Sequence, residues 1–166
     1  MTSARLAAAA LALGLGFALA ATPCFAAGSG GSSSTDTTST TPGPSSGDYQ
    51  TAKKKIDAGD YKGAIPILEN LVKSSPRNAD ALSELGFCYR HLGQKEKALA
   101  YYNKALSVEP KHLGANEYMG ELYLQMGMLP KAKERLAVLS DACKNCEEYG
   151  DLKKQIDAFK SKQQSS

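Results

Sequence analysis

The chain has 166 residues, of which 22% are charged and 42% hydrophobic, and its formal net charge is +3 at pH 7. This length allows one domain, or one domain with a tail. Acidic and basic residues are interleaved along most of the chain, and so small a net charge argues against nucleic acid as a partner.

The N-terminal segment, 1–26, has the features of a secretory signal peptide. Arg5 provides a positive start, an uncharged apolar run begins at Leu6, and small residues precede a cleavage point after Ala26. The run is shorter than the roughly 20 residues that a membrane-spanning helix needs, and Pro23 argues against lipid attachment at Cys24. We therefore expect an exported protein, periplasmic or secreted, without a stable membrane anchor. Losing Arg5 lowers the net charge from +3 to +2.

Residues 27–47 consist almost wholly of Gly, Ser, Thr and Pro and contain no large apolar side chain. Such a segment cannot bury enough apolar surface to offset the entropy that ordering removes. We predict a disordered tether here, with regular structure beginning near residue 48.

The rest of the chain repeats itself at a fixed period, with three successive copies of one pattern. The copies that begin near residues 79 and 113 align well, and a weaker copy begins near residue 45. The recurring columns are Ala52/Gly86/Gly120, Gly59/Gly93/Gly127, Ala64/Ala98/Ala132 and Pro76/Pro110. Small residues let antiparallel helices approach closely, glycine can end a helix in the left-handed conformation, and proline prevents a helix from continuing. The period predicts stacked helix pairs.

These columns, together with Leu85 and Tyr89 of the middle copy, resemble the tetratricopeptide repeat over about residues 45–146. The resemblance implies an all-α solenoid of three helix-turn-helix units, at about 45–78, 79–112 and 113–146. The implied helices span about 48–58, 61–73, 79–91, 95–107, 113–125 and 129–142. The first copy departs from the pattern at Thr51 and Lys55 and has Pro66 early in its second helix, so we expect it to fray.

A seventh helix is predicted over about 146–160. Its apolar residues Tyr149, Leu152, Ile156 and Phe159 form one stripe at spacings of three and four, and Asn145 with Glu148 has the spacing of a capping box. An open solenoid end exposes apolar surface, so this helix is expected to cap the third repeat and complete a domain over 48–161.

Cys143 and Cys146 stand where the other repeats carry their terminating proline. We predict a disulfide that pins the last repeat to the cap helix, because exported proteins meet an oxidising compartment and this spacing can satisfy disulfide geometry. The alternative is a thiol–disulfide redox site, which needs a lowered thiol pKa. Glu147 and Glu148, in the first turn of the following helix, oppose a thiolate.

No enzyme, cofactor or metal site is expected. Cys88 and His91 lie at the opposite end of the repeats from Cys143 and Cys146, roughly 20 Å away, which is too far for a shared zinc site. Neither histidine has a recognisable catalytic partner, and the Gly-rich stretch lies in the tether and does not follow a strand.

The resemblance also implies a concave groove that is lined by the first helix of each pair and usually binds a peptide. The implied groove residues are Tyr49, Lys53 and Asp57 in the first repeat, Asp80, Ser83, Phe87, Arg90 and His91 in the second, and Glu117, Glu121 and Gln125 in the third. For any single polar residue, simple solvation is the better explanation, whereas Phe87 is a candidate anchor.

Some members of this family hold a C-terminal carboxylate in a clamp of lysine, asparagine and arginine. Only Lys53 falls in a matching place here, so such a clamp is disfavoured. Lys53 and Arg90 lie toward one end of the groove, with Glu117 and Glu121 toward the other. This gradient favours a ligand with a basic segment near the third repeat.

The sequence therefore favours a non-catalytic interaction module, such as a periplasmic scaffold or assembly factor, that binds an unidentified protein or peptide. Redox exchange at Cys143 and Cys146 is the alternative from another class. Self-association through the groove or the repeat edges stays open as well.

Overall fold

A computed structural model describes residues 46–165, which form seven α-helices and no strand. The helices are α1 (Ser46–Asp57), α2 (Tyr61–Ser74), α3 (Ala79–His91), α4 (Lys95–Val108), α5 (Leu113–Gln125), α6 (Leu129–Ala142) and α7 (Glu147–Gln164). The first six pair in order, and α7 packs on both α5 and α6. The predicted all-α solenoid of three helix pairs and a cap helix is confirmed. The expected signal peptide and most of the expected tether lie outside the described residues.

Each helix pair is joined by the same glycine turn. Gly93 has a φ of +74°, the left-handed conformation that its column predicts. Gln94 donates its backbone N–H to the carbonyl of Tyr89 at 2.9 Å, which satisfies one of the orphan carbonyls at the end of α3. The turn recurs at Gly59 and Gly127. One local geometry therefore sets how all three pairs fold back.

The small-residue column lets a large side chain reach the partner helix. A Cβ built on Gly86 would lie 2.5 Å from the ring of Tyr102, which is completely buried. In the third repeat, Leu136 takes the column of Tyr102 and is only partly buried. The space over Gly120 is filled by Leu152 of α7, whose methyl carbon would lie 2.5 Å from an added Cβ. The cap helix thus supplies the large side chain that packs against the small residue of the third repeat.

The cap helix follows its predicted stripe but starts and ends differently from the prediction. Leu152 and Ile156 are buried, and α7 continues to Gln164, past its expected end near residue 160. The capping box at Asn145 is wrong, because the N-cap residue is Cys146 and no side chain caps the helix. Lys144 has a φ of +53°, and this tight turn delays the start of α7.

The first repeat is regular despite its unusual residues. Helix α1 begins at Ser46, so the end of the segment assigned to the tether is helical. Helix α2 runs through Pro66 without a break. Pro66 is exposed, whereas Ala64 and Leu68 of the same helix are buried. The ring therefore removes one hydrogen bond on the solvent side and leaves the packed side intact.

Candidate functional site

The first helices of the repeats and the cap helix lie side by side on one surface of the solenoid. Helix α3 contacts α5, α5 contacts α7, and an ion pair joins α1 to α3. We call the surface formed by α1, α3, α5 and α7 the groove face. It carries the predicted groove residues.

Several polar residues of the groove face are buried and are not the solvated side chains that the simpler explanation assumed. Ser83 is 2% exposed, and Glu117 and Glu121 are each 8% exposed. Burying an ionised carboxylate without a partner is costly. The partners of these residues therefore determine what the surface can bind.

Two ion pairs connect successive first helices across the groove face. Lys53 Nζ lies 2.8 Å from Glu84 Oε1, and Arg90 Nη2 lies 2.7 Å from Glu121 Oε2. In both pairs the residues are 31 positions apart. Gln155 of α7 also donates a hydrogen bond to Glu121. The two cations of the predicted charge gradient are thus already paired inside the protein, and Glu84 is a groove partner that the sequence analysis did not include.

Phe87, the candidate anchor, packs within a cluster of aromatic rings. Its ring centroid lies 4.3 Å from that of His91, 4.7 Å from Tyr118 and 6.1 Å from Tyr61. The Arg90 guanidinium lies 5.2 Å from the Phe87 ring centroid. Phe87 therefore holds α2, α3 and α5 together. Partial desolvation by these packed rings, together with the charge of Arg90, lowers the pKa of His91.

Glu117 is the buried carboxyl of the groove face that has no partner. It makes no hydrogen bond or ion pair within residues 46–165. Burial raises the pKa of Glu117 to about 8, and the negative charges of Glu121, Glu148 and Asp151 add to the increase, whereas Arg90 opposes it. Glu148 and Asp151 lie on the cap helix, where the sequence analysis did not look for groove residues.

A cleft of about 880 Å³ opens between α5 and α7 on the groove face. Leu124, Ala158 and Phe159 provide its apolar lining, Gln125 lies at the rim and Lys162 lies toward the C-terminal end of α7. This cleft was not predicted. The repeat period could have indicated it, because Phe159 falls one period after Gln125.

The other predicted groove residues differ in their surroundings. Asp57 is exposed and Tyr49 is partly buried. Burial and the charge of Glu84 raise the pKa of Tyr49. Asp80, in the first turn of α3, contacts the turn before α5, since its carboxylate lies 2.9 Å from His112 Nε2. His112 Nδ1 accepts the backbone N–H of Ala115, so Nε2 is the nitrogen that donates to Asp80.

The cysteines lie where their spacing in the sequence predicted. Cys143 ends α6 and Cys146 precedes α7, with Cα atoms 5.6 Å apart and their sulfur atoms adjacent. Their oxidation state stays a prediction. Cys88 lies in the core, where burial raises the pKa of its thiol to about 12, so its reactive thiolate form is scarce.

The described part of the chain has neither a cluster of metal ligands nor a membrane-spanning helix. Over residues 46–165, no group of three or more His, Cys, Asp or Glu side chains is placed to hold a metal ion. None of the seven described helices is both long and apolar enough to cross a bilayer.

Comparison with known protein families identifies the repeat. The family model described as "Tetratricopeptide repeat" matches residues 79–112, the second repeat. The chain is 36% identical over 70 residues to Protein CTR9 homolog of Arabidopsis thaliana, covering 42% of this chain and 6% of that protein. It is 34% identical over 67 residues to Cellulose synthase operon protein C of Escherichia coli (strain K12), covering 40% and 6%. The chain spans a tenth or less of the length of the curated relatives it matches.

Solved structures show the same fold. The type III secretion translocator chaperone SycD of Yersinia enterocolitica has a TM-score of 0.63 at 21% identity, covering 71% of this chain and 84% of SycD. The first TPR domain of human RPAP3 has a TM-score of 0.64 at 18% identity, covering 72% and 94%. PcrH, solved with the chaperone binding region of PopD, has a TM-score of 0.62 at 19% identity, covering 70% and 91%. At these identities the likeness shows the helix-pair solenoid alone.

Proposed function

Because this chain is a tetratricopeptide repeat protein, we propose that it is a non-catalytic module that binds a segment of another protein on its groove face. Structures of similar fold have been solved with such segments: SycD with a peptide of YopD, PcrH with a region of PopD, and Spaghetti with an HSP90 peptide. The observation that carries the proposal is the cleft between α5 and α7.

The cleft has the chemistry of a peptide site. Leu124 and Phe159 offer apolar contact, and Gln125 supplies polar groups at the rim. Burying one leucine-sized side chain of a partner there contributes about 1.5–3 kcal/mol before the entropic cost of binding.

A photo-crosslinking residue at Gln125 tests this proposal in cells. Gln125 is exposed at the cleft rim, whereas substitution of Phe87 would disturb ring packing. The matched control carries the same crosslinker at Ala137, an exposed residue of α6. We expect a dominant adduct from Gln125 that Ala158→Arg removes by filling the cleft, and that Ala137→Arg leaves unchanged. An adduct that forms equally from Ala137, or that survives Ala158→Arg, would contradict binding at the cleft.

We also propose that the protein is exported and that its N-terminal segment, 1–26, is removed. The charged start at Arg5, the apolar run that follows and the small residues before the cleavage point support this location. N-terminal sequencing of the protein from the periplasmic or secreted fraction should begin at Ala27. A cytoplasmic protein that retains Met1 would contradict export.

Acid-quenched thiol trapping tests the role of the Cys143–Cys146 pair. In an oxidising compartment we expect both thiols to be protected from alkylation, as a structural disulfide between α6 and α7 requires. A reduced pool, or mixed disulfides with other proteins, would favour redox exchange as the function of the pair.

A further inference from the structure

We infer that the groove face holds a subsite for a basic side chain at Glu117, Glu148 and Asp151, next to the apolar cleft. The partner segment that fits this surface carries a lysine or arginine a few residues from an apolar residue. This inference rests on the proposed binding function and specifies the chemistry of the segment.

The subsite interrupts the charge pattern that links the other first helices. A cation and a carboxylate 31 positions apart form the pairs Lys53–Glu84 and Arg90–Glu121. The same spacing from Glu117 leads to Glu148, which is also acidic. At this spacing the other two helix pairs have a cation opposite a carboxylate, whereas α5 and α7 have two carboxylates, Glu117 and Glu148. A ligand can supply the missing positive charge.

Glu117 is also positioned to receive a ligand. It is 8% exposed, so more than nine-tenths of its surface is buried. It has no hydrogen-bond or ion-pair partner within residues 46–165. Its carboxyl oxygens are nevertheless not among the fully buried polar atoms that lack a hydrogen bond. The carboxyl group therefore keeps some contact with solvent although the residue is buried. A buried carboxylate in such a setting gains more from a bound cation than an exposed one.

The neighbouring cleft sets the spacing of the ligand. Glu117 and Leu124 are two turns apart on α5, a distance of about 10 Å along the helix. An extended segment covers about 3.3–3.6 Å per residue, so its apolar residue lies about three positions from its basic one.

Charge complementarity favours a separate partner over the tether of this chain. Residues 27–45 contain a single charged side chain, Asp36, and no basic residue. That segment can supply neither the cation nor a large apolar group. A basic protein segment satisfies both parts of the surface.

Selection of short random peptides displayed on phage against the full chain tests this inference. We expect peptides with a basic residue about three positions from an apolar one. The basic preference should be lost on the subsite variant Glu117→Gln/Glu148→Gln/Asp151→Asn, while the apolar preference persists. The matched control Glu96→Gln/Glu109→Gln/Glu134→Gln removes three exposed carboxylates elsewhere and should keep both preferences.

Calorimetry with a synthetic copy of the best peptide adds a readout specific to Glu117. The subsite variant should bind about tenfold more weakly than the wild type at low salt, and the difference should narrow at high salt. At pH 7 Glu117 is mostly protonated in the free protein, so binding of the cation should release on the order of one proton. Glu117→Gln should abolish this proton release.

The outcomes separate this inference from the proposed function. Peptides that Ala158→Arg blocks but that lack a basic residue would overturn the subsite and leave groove binding intact. Failure to select peptides, or selected peptides insensitive to Ala158→Arg, would overturn both. A dimer that the subsite variant dissolves would assign the surface to a second copy of the chain and overturn the proposed partner.

Discussion

Leu152→Ala should detach the cap helix from the third repeat. Leu152 is fully buried, and its methyl carbons lie over Gly120, which has no side chain of its own to fill a gap. Removing three carbons there leaves a cavity that α5 cannot close with a side chain. Leucine-to-alanine changes in cores cost about 2–5 kcal/mol, and we expect about 3 kcal/mol here.

Thermal and urea unfolding of the full chain, followed by circular dichroism, measure this cost. At about 2.1 cal/mol/K per residue, a chain with about 120 ordered residues unfolds with an entropy of about 0.25 kcal/mol/K. A loss of about 3 kcal/mol therefore lowers Tm by about 12 °C. Hydrogen exchange should locate the loss in α7, because a terminal helix of a stacked array can open by itself.

The control is Leu136→Ala, in the column where the second repeat has Tyr102. Leu136 is only partly buried, so its loss should cost about 1 kcal/mol. A larger effect for Leu136 than for Leu152 would refute the view that α7 completes the third repeat. Gly120→Ala should be destabilising alone, because its Cβ meets Leu152 at 2.5 Å. Gly120→Ala should lower the free energy of unfolding less in the Leu152→Ala background than in the wild type. Strictly additive effects of the two substitutions would also refute the reasoning.

Three further predictions follow from local features. The free energy of unfolding should fall as pH rises from about 4.5 to about 8, because the folded state retains a proton on Glu117 that the unfolded chain loses. Glu117→Gln should flatten this part of a plot of Tm against pH. An unchanged plot would contradict the prediction. In urea titrations Gly93→Ala should lower the free energy of unfolding by about 1 kcal/mol, since Gly93 has a φ of +74°. Gly150→Ala should raise it by about 0.5–1 kcal/mol, because Gly150 lies in α7 and no atom lies within 4 Å of an added Cβ. Equal effects of the two substitutions would contradict this. If Cys143 and Cys146 form a disulfide, a reductant should lower the free energy of unfolding of the wild type by about 2 kcal/mol. It should have no effect on the variant Cys143→Ser/Cys146→Ser.

Features set by local sequence could be predicted, and features set by packing between repeats could not. The glycine turn at Gly93 follows from the conformational freedom of one residue, and the helix bounds follow from the period. The filling of Gly120 by Leu152 depends on the difference in volume between Leu136 and Tyr102. Either residue alone fits its helix, and the missing volume appears only when the third repeat is compared with the second.

The helices that carry the predicted groove residues follow from the repeat, but the contacts of those residues do not. Phe87 falls where the resemblance implies, yet its exposure depends on Tyr61 and Tyr118 from two other helices. Likewise, the pairing of Arg90 with Glu121 becomes visible only when residues 31 positions apart in the sequence are compared, and this spacing is shorter than the repeat period. A comparison of charges at that spacing would have identified Glu117 as the exception.

The contact between Leu152 and Gly120 also restricts how this gene could lengthen. A tandem duplication that inserts a unit upstream of α5 preserves the junction of the last repeat with α7. A copy of the second repeat placed after α6 would separate Leu152 from Gly120 and leave α7 on a repeat whose own tyrosine, the copy of Tyr102, already fills that space. Relatives with more repeats are therefore expected to have gained them internally, with the final helix pair and its cap inherited as one block.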